Sequence, residues 1–264
     1  MELHPAVTQL LTRRQWAQRT PEWYAIRREL LTASDVASSL GIKPFASYKG
    51  DIRADTLIKK LENAPFGNMF VAHGQKYEDE ARDKMAAALG VTCLDFGLLV
   101  HPEHPWLAAS PDGVTTSGFA VEIKCPLKRE IVPGHIPHHY YPQVQVQMAV
   151  CGLKSTYFAQ YKPAHITANK KAFLDITVVE YDPLWFKDNL PIMKDFFDEY
   201  MEKQKTFVPT PLPPPPACSI VDSLYTEPES PLESPLESPR EKCRVLDNLD
   251  TLRTHLNNIS VQST

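Results

Sequence analysis

The stretch Ala109–Pro126, which reads ASPDGVTTSGFAVEIKCP, places an acidic turn just before a short charged strand. Asp112 lies in a Ser-Pro-Asp-Gly turn, and the apolar run that follows carries Glu122 and Lys124 two positions apart. Because side chains alternate between the two faces of a strand, Glu122 and Lys124 share one face. With Asp112 delivered by the preceding turn, two carboxylates can hold a hard divalent cation, and oxygen ligands favour Mg²⁺ or Mn²⁺ over Zn²⁺.

This spacing has an alternative interpretation when it is considered alone. Short matches to a D…ExK pattern arise by chance, and a strand can carry glutamate and lysine on a solvent-facing side without any catalytic role. The interpretation therefore depends on what the rest of the chain contains and in which order.

Length and composition indicate one sizeable globular domain with appendages, because the 264 residues are 43% hydrophobic. No apolar run approaches the length of a membrane span, and the N-terminal segment lacks the layout of a signal peptide. Five cysteines without a C-x-x-C pair argue against a disulfide framework, a zinc site or a four-cysteine iron–sulfur cluster. We therefore expect an intracellular protein in a reducing compartment, cytoplasmic or nuclear, with no membrane partner.

The net charge of −4 is unevenly distributed. Residues 206–264 hold eight acidic and four basic side chains, so residues 1–205 carry no net charge, and residues 11–60 hold ten basic against five acidic. A locally basic segment beside an acidic metal centre is compatible with a DNA-processing enzyme, although a mixed solvated surface would have the same composition.

An anion pocket is predicted near the start of the chain. Residues 8–19 and 22–30 are predicted to be helical, the second helix with Thr20 as its N-cap, and a short helix capped by Thr32 or Ser34 should end at Gly41. An arginine beside a helix N-terminus that carries hydroxyl groups can bind an anion, whereas simple capping with a surface arginine is the alternative.

The remaining elements follow from periodicity and from stop signals. Helices are predicted over residues 48–61, 69–89, 138–151 and 182–205, and strands over 97–100, 107–109, 120–125, 154–161 and 171–179. We divide the chain into a globular domain, residues 1–205, a proline- and serine-rich linker, 206–244, and a short amphipathic helix, 245–264. The linker should be disordered, and the apolar seam of the final helix should dock on a partner or on the enzyme body.

Five motifs occur together in an order that resembles one nuclease family. They are RxxEWxxxR from Arg19, TASDV from Thr32, GxxxExxAR from Gly74, SPD-(x)9-ExK from Ser110 and QVQ from Gln143. Together they resemble the PD-(D/E)xK nucleases of the YqaJ-type viral recombinase family, which includes phage lambda exonuclease. The resemblance covers residues 18–205 and implies a restriction-endonuclease-like α/β core, with a mixed central β-sheet flanked by helices.

The resemblance also implies roles for particular residues. It implies that one or two Mg²⁺ or Mn²⁺ ions are bound by Asp112, Glu122, Glu78 and the carbonyl of Ile123. It assigns catalysis to Asp112, Glu122, Lys124 and Gln143. It assigns binding of a DNA 5′-phosphate to Arg27, Ser34 and Ser110. Gln143 and Gln147 share one helical face, whereas Gln145 points away and is the weaker candidate. For Glu78, an ordinary i,i+4 pair with Arg82 is the alternative.

The function expected from this resemblance is hydrolysis of DNA phosphodiester bonds by a Mg²⁺-dependent 5′→3′ exonuclease on double-stranded ends, in recombination or viral DNA processing. One alternative is an endonuclease or single-strand nuclease on the same fold. Another is a non-catalytic accessory protein that binds DNA ends, which the intact Asp112, Glu122 and Lys124 disfavour. The family also implies a single-strand annealing protein as partner and a ring-shaped homotrimer.

Overall fold

The computed structural model describes residues 3–63 and 69–208, which form two β-sheets flanked by helices. This architecture confirms the predicted mixed α/β class. The strands are β1 (Leu31–Thr32), β2 (Cys93–Leu94), β3 (Leu99–Val100), β4 (Leu107–Ala109), β5 (Gly113–Thr115), β6 (Phe119–Lys124), β7 (Ser155–Lys162) and β8 (Phe173–Glu180). The sheet orders are β1-β4-β3 and β2-β5-β6-β7-β8. The predicted linker and final helix lie outside the described residues, apart from residues 206–208.

The helices begin and end largely where the sequence indicates. They are α1 (Pro5–Thr12), α2 (Pro21–Arg28), α3 (Ala33–Ser39), α4 (Ile52–Leu61), α5 (Met69–Leu89), α6 (Tyr141–Cys151) and α7 (Pro183–Gln204). The Thr20 hydroxyl accepts a hydrogen bond from the Trp23 amide and caps α2, as predicted. Asp51 caps α4 in the same way, so this helix begins at Ile52 and not at residue 48.

The predicted helix over residues 8–19 is wrong beyond Thr12. Instead, the Trp16 amide donates to the Leu98 carbonyl at 3.3 Å, and the Leu98 amide donates to the Trp16 carbonyl at 2.8 Å. A Cβ atom on Gly97 would lie only 2.1 Å from the Trp16 carbonyl oxygen, so this close approach of two backbones requires glycine. Backbone pairing with a distant segment therefore outweighs the local helical preference of residues 13–19.

One further helix boundary and three strands differ from the sequence-based expectation. The helix predicted from residue 138 begins at Tyr141. Strands β1, β2 and β5 were not predicted, because two or three residues are too few for an alternating pattern to be recognised.

The arrangement of α6 relative to β6 determines which side chains meet at the site. β6 and β7 are parallel, and Glu122 is aligned with Phe158. Parallel neighbours need a crossover connection, and the segment that supplies it contains α6. α6 packs on the sheet face that carries Ala120 and Glu122. α5 packs on the opposite face, where the Tyr161 hydroxyl donates to Glu80 Oε1 at 2.5 Å.

A second parallel pair brings the start of the chain to the same region. β1 pairs with β4 in parallel, and Thr32 is aligned with Ala108. Residues that follow β1, including Ser34, therefore lie at the same sheet edge as Ser110 and Asp112, which follow β4. None of the described helices is both long enough and apolar enough to cross a membrane.

Candidate active site

Asp112 is fixed between the two sheets by the backbone of β6. Its amide donates to the Val121 carbonyl at 3.0 Å, and its Oδ2 accepts from the Ile123 amide at 2.7 Å. The N–H and C=O groups of one strand residue point to the same side. The Ile123 carbonyl therefore points toward Asp112 and away from β7, as a carbonyl ligand to a shared metal would need to.

Glu122 and Lys124 do share one face of β6, and α6 covers this face. Glu122 is 2% exposed, and its Oε1 lies 2.5 Å from Lys124 Nζ. Gln143 donates to Glu122 Oε1 at 2.7 Å and accepts from Lys124 Nζ at 3.2 Å. Gln147 donates to Glu122 Oε2 at 2.5 Å. The predicted shared face of Gln143 and Gln147 is thus the face that contacts the two charged residues.

The charges of this centre perturb one another strongly. The pKa of the Asp112 carboxyl is raised well above its ordinary value by burial and by the nearby Glu122 and Glu78, and Lys124 and the Ile123 amide offset only part of the shift. Burial alone would lower the pKa of Lys124, but Glu122, Tyr140 and Asp112 outweigh it and the pKa is raised. Lys124 is therefore an ammonium ion at neutral pH, and its Nζ lies 4.7 Å from the centre of the Tyr140 ring.

Glu78 reaches the region from α5, on the other side of the sheet. It does not form the alternative i,i+4 pair with Arg82, which contacts Asp79, Asp95 and the Asp112 carbonyl. Instead, Arg19 Nη2 lies 2.8 and 2.9 Å from the two Glu78 carboxylate oxygens. Burial raises the pKa of Glu78, Arg19 opposes this shift, and Glu122 adds to it.

Glu78 and Asp112 line one cavity of about 600 Å³. Its acidic lining residues, Glu78, Asp79, Asp95 and Asp112, outnumber the two arginines, Arg19 and Arg82. Within residues 3–63 and 69–208, no group of three or more His, Cys, Asp and Glu side chains is arranged to hold a metal ion as it stands. The residues nevertheless fit a hard divalent cation, because their donors are oxygen atoms and the lining of the cavity carries more acidic than basic side chains.

The residues predicted to bind a phosphate also come together. Arg27, 9% exposed, donates to the Ser34 hydroxyl at 2.9 Å, and its guanidinium lies 4.3 Å from the centre of the Trp23 ring. Trp23 in turn donates from Nε1 to the Ser110 hydroxyl at 2.9 Å. Burial lowers the pKa of Arg27, and Asp35 and Tyr24 offset part of this shift. A buried guanidinium that contacts a hydroxyl group at the N-terminus of α3 is suited to bind an anion.

Sequence reasoning missed several residues that support the site. Arg19, Trp23 and Tyr140 contact the predicted residues directly. Gln147, which was placed on the face of Gln143 but was given no role, contacts Glu122. The i,i+4 spacing of Gln143 and Gln147 was a usable signal for Gln147, whereas the pairing of Arg19 with Glu78 depends on a contact across 59 positions. Gln145, the weaker candidate, belongs elsewhere. It is fully buried, donates to the Glu180 carbonyl and accepts from the Asp182 amide, so it joins β8 to α7.

Two mixed sheets flanked by helices, with Asp112, Glu122 and Lys124 at the junction of β4, β5 and β6, define a restriction-endonuclease-like α/β core. The model of the YqaJ-like viral recombinase domain matches residues 22–154, half of the chain. The chain therefore belongs to the family of YqaJ-like viral recombinase domains.

Similar sequences occur in two viruses. The uncharacterized protein R354 of Acanthamoeba polyphaga mimivirus is 35% identical over 166 residues, which cover 56% of this chain and 30% of that protein. Protein D345L of African swine fever virus, strain Badajoz 1971 Vero-adapted, is 28% identical over 167 residues, which cover 50% of this chain and 46% of that protein. The chain thus matches less than half the length of these curated relatives.

Similar structures are bacterial and phage-related exonucleases. The alkaline exonuclease LHK-Exo of Laribacter hongkongensis superposes with a TM-score of 0.59 and 25% identity over 71% of this chain and 95% of that one. Its complex with dAMP gives a TM-score of 0.60. A phage-related exonuclease of Haemophilus somnus shares the fold, with a TM-score of 0.50 and 12% identity.

Proposed function

We propose that this protein is a metal-dependent deoxyribonuclease that degrades double-stranded DNA from its ends in the 5′→3′ direction. The observation that carries the proposal is the shared placement of three charged groups. Glu122 and Lys124 lie 2.5 Å apart on one face of β6, and Asp112 is hydrogen-bonded to the strand residue between them. Membership of the YqaJ-like family and similarity to alkaline exonuclease structures support the same class of reaction.

One or two Mg²⁺ or Mn²⁺ ions would be held by Asp112, Glu122, Glu78 and the Ile123 carbonyl. The chemistry that such an ion would supply is a lower pKa for an attacking water and compensation of charge on the phosphate. The acidic lining of the cavity supports this assignment, because four carboxylates against two arginines leave a deficit of positive charge.

The chain's own residues would orient the reactants. Lys124, held by Glu122 and Gln143, presents a fixed ammonium group that stabilises negative charge on the phosphate. Gln143 and Gln147 donate to the two oxygens of Glu122 and so fix the orientation of its carboxylate. The aromatic ring of Tyr140 restricts Lys124 from the other side.

End recognition would come from Arg27, Ser34 and Ser110. The parallel pairing of β1 with β4 brings the segments that follow these strands to one sheet edge, so a terminal phosphate could be bound beside the hydrolytic centre. A guanidinium with two hydroxyl groups suits a phosphate monoester, which carries more negative charge than an internal diester. This pocket is the feature that favours an exonuclease over an endonuclease.

The experiment compares linear duplexes with 5′-phosphate and 5′-hydroxyl ends and a covalently closed circle, each with Mg²⁺ or with a chelator. We expect Mg²⁺-dependent release of mononucleotides from linear DNA, faster from phosphorylated ends, with the circle intact. Asp112→Asn and Glu122→Gln should abolish release and weaken Mn²⁺ binding in calorimetry, because each removes a ligand charge. Cleavage of the circle would favour an endonuclease, and end binding without cleavage would favour the accessory role.

A further inference from the structure

Arg19 forms an unusual ion pair with one of the proposed metal ligands. A single guanidinium nitrogen, Nη2, lies between the two carboxylate oxygens of Glu78, at 2.8 and 2.9 Å. The Arg19 side chain is 42% exposed and that of Glu78 is 21% exposed. One cationic atom between two carboxylate oxygens is also the arrangement of a chelated metal ion, so the guanidinium occupies the position that a cation on Glu78 would need.

The backbone of Arg19 is held in a conformation that L-amino acids rarely adopt, with a φ of 66°. Its neighbours fix this conformation. Gln18 donates to the carbonyls of Pro111, at 2.9 Å, and Phe96, at 3.0 Å, and the Thr20 hydroxyl donates to the Ala17 carbonyl at 2.8 Å. Backbone strain of this kind persists where surrounding contacts impose it, and it concentrates at functional sites. The backbone around Arg19 is thus held next to Pro111, the residue that precedes Asp112. The Arg19 side chain extends from there across the cavity to α5.

The pair also serves the charge balance of the site. Glu122 is paired with Lys124, and Asp112 Oδ2 is held by the Ile123 amide, so Arg19 supplies the cation for the third carboxylate of the proposed metal site. A divalent cation that takes an oxygen of Glu78 must displace at least one of the two contacts with Nη2. The displaced guanidinium then remains within a cavity that, by the proposed function, faces a polyanionic substrate.

We propose that Arg19 is a displaceable arm of the active site. It neutralises Glu78 while no metal is bound, yields this carboxylate to an incoming divalent cation, and then binds a phosphate of the DNA strand. A guanidinium suits both partners because its planar N–H donors match the oxygens of carboxylates and phosphates alike. The inference rests on the proposed function, and it adds a substrate-positioning residue whose position depends on metal occupancy.

The first test measures Mn²⁺ binding by calorimetry without DNA, so that catalysis is not involved. Arg19→Gly removes the arm and accepts the positive φ without strain, so loss of folding does not obscure the result. We expect Arg19→Gly to bind Mn²⁺ about fivefold more tightly than wild type, a factor that matches the strength of a partly exposed ion pair. Arg19→Lys should be intermediate. Arg14→Ala, which removes an exposed arginine stacked on Trp16, should leave the affinity unchanged.

The second test measures steady-state cleavage of a 5′-phosphorylated duplex with saturating Mg²⁺. The KM of Arg19→Gly should rise about tenfold, with kcat changed less than twofold, and Arg19→Lys should restore part of the loss. Equal Mn²⁺ affinity in wild type and Arg19→Gly, or tighter Mn²⁺ binding with an unchanged KM, would overturn the role of Arg19 and leave the nuclease assignment intact. Absence of both cleavage and Mn²⁺ binding in all variants would overturn the proposed function and this inference together.

Discussion

Lys124 has few conformations available to it. Its ammonium group lies between Glu122, Gln143 and the Tyr140 ring, and its raised pKa keeps it charged across the neutral range. This restraint means that the charge is in place before the substrate arrives, which is the condition under which electrostatic stabilisation contributes most to a rate.

Lys124→Ala is therefore expected to lower kcat by about a hundredfold or more and to leave DNA affinity nearly unchanged, because the ammonium group acts on the chemical step. Rapid-quench cleavage and fluorescence anisotropy measure the two quantities separately. Lys128→Ala, in the exposed segment that follows, is the control for loss of one positive charge. Near-normal turnover of Lys124→Ala would contradict the assignment.

Arg27→Ala is expected to remove most of the preference for 5′-phosphorylated over 5′-hydroxyl ends. A charge-assisted hydrogen bond to phosphate is worth about 1.5–3 kcal/mol, so the preference should fall tenfold or more. Competition between the two duplexes in one reaction gives the ratio directly. The exposed neighbour Arg28 provides the matched control, and equal slowing on both ends would make Arg27 a general backbone contact.

At the scale of elements, the pairing of Trp16 with Leu98 holds the segment that leads from α1 to Arg19. Gly97→Ala would place a methyl group 2.1 Å from the Trp16 carbonyl, a clash with backbone that no side-chain rotation relieves. We expect a loss of about 2 kcal/mol or more in the free energy of unfolding, measured by urea titration. Gly74→Ala is the control, since a Cβ at Gly74 in α5 meets no atom within 4 Å and alanine favours helix. Equal stability of the two variants would show that the backbone at Trp16 shifts readily to accommodate the added methyl group.

The long elements of this fold could be read from the sequence because local signals specify them. Thr20, Asp182 and Gly90 mark helix ends by chemistry that acts within one turn, and the strand that carries Glu122 shows a clear alternation. Strands β1, β2 and β5 could not be read, because each has only two or three residues, and β1 in addition depends on a partner far along the chain. The same contrast between local signals and distant contacts applies to the residues of the site. Gln143 and Gln147 follow from helical spacing, but Arg19 and Trp23 become visible only when distant segments are brought together.

For the molecule as a whole, stability should fall in mild acid. His101 is 7% exposed, and its Nδ1 accepts from the amides of Glu103 and His104, each at 3.1 Å. Burial and the neighbouring His104 lower the pKa of His101 to about 4, against about 6.5 in the unfolded chain. The unfolded state therefore binds a proton more readily, so this contribution is present above about pH 6.5 and is lost as the pH falls toward 4. It amounts to at most about 3 kcal/mol.

His101→Asn keeps an acceptor for the two amides and removes the titration. We expect a flatter dependence of Tm on pH between 6.5 and 4, with part of the slope retained because burial and His138 also lower the pKa of His139 to about 4. His135→Asn, at an exposed position, is the control for the replacement of a histidine by asparagine. An unchanged slope in His101→Asn would show that the acid sensitivity arises elsewhere.

Removal of residues 206–264 tests the proposed division of the chain. All residues assigned to hydrolysis, metal binding and phosphate binding precede this point, and α7 packs into the core through Phe186, Met193, Phe196 and Tyr200. We expect unchanged cleavage of naked DNA and an altered oligomer mass or partner binding, measured by light scattering and by pull-down with a single-strand annealing protein. Lost cleavage with unchanged folding and mass would assign the removed residues to the active site.

The crossover between β6 and β7 has a consequence during protein synthesis. A ribosome releases Asp112, Glu122 and Lys124 before it has made α6, and β7 emerges later still. Until then, Glu122 has neither the two glutamine donors nor the neighbouring strand that bury it. Interrupted translation or early proteolysis therefore yields fragments that contain the ExK motif but no assembled hydrolytic centre. The order of translation therefore places assembly of this centre after residue 162, the end of β7, has been made.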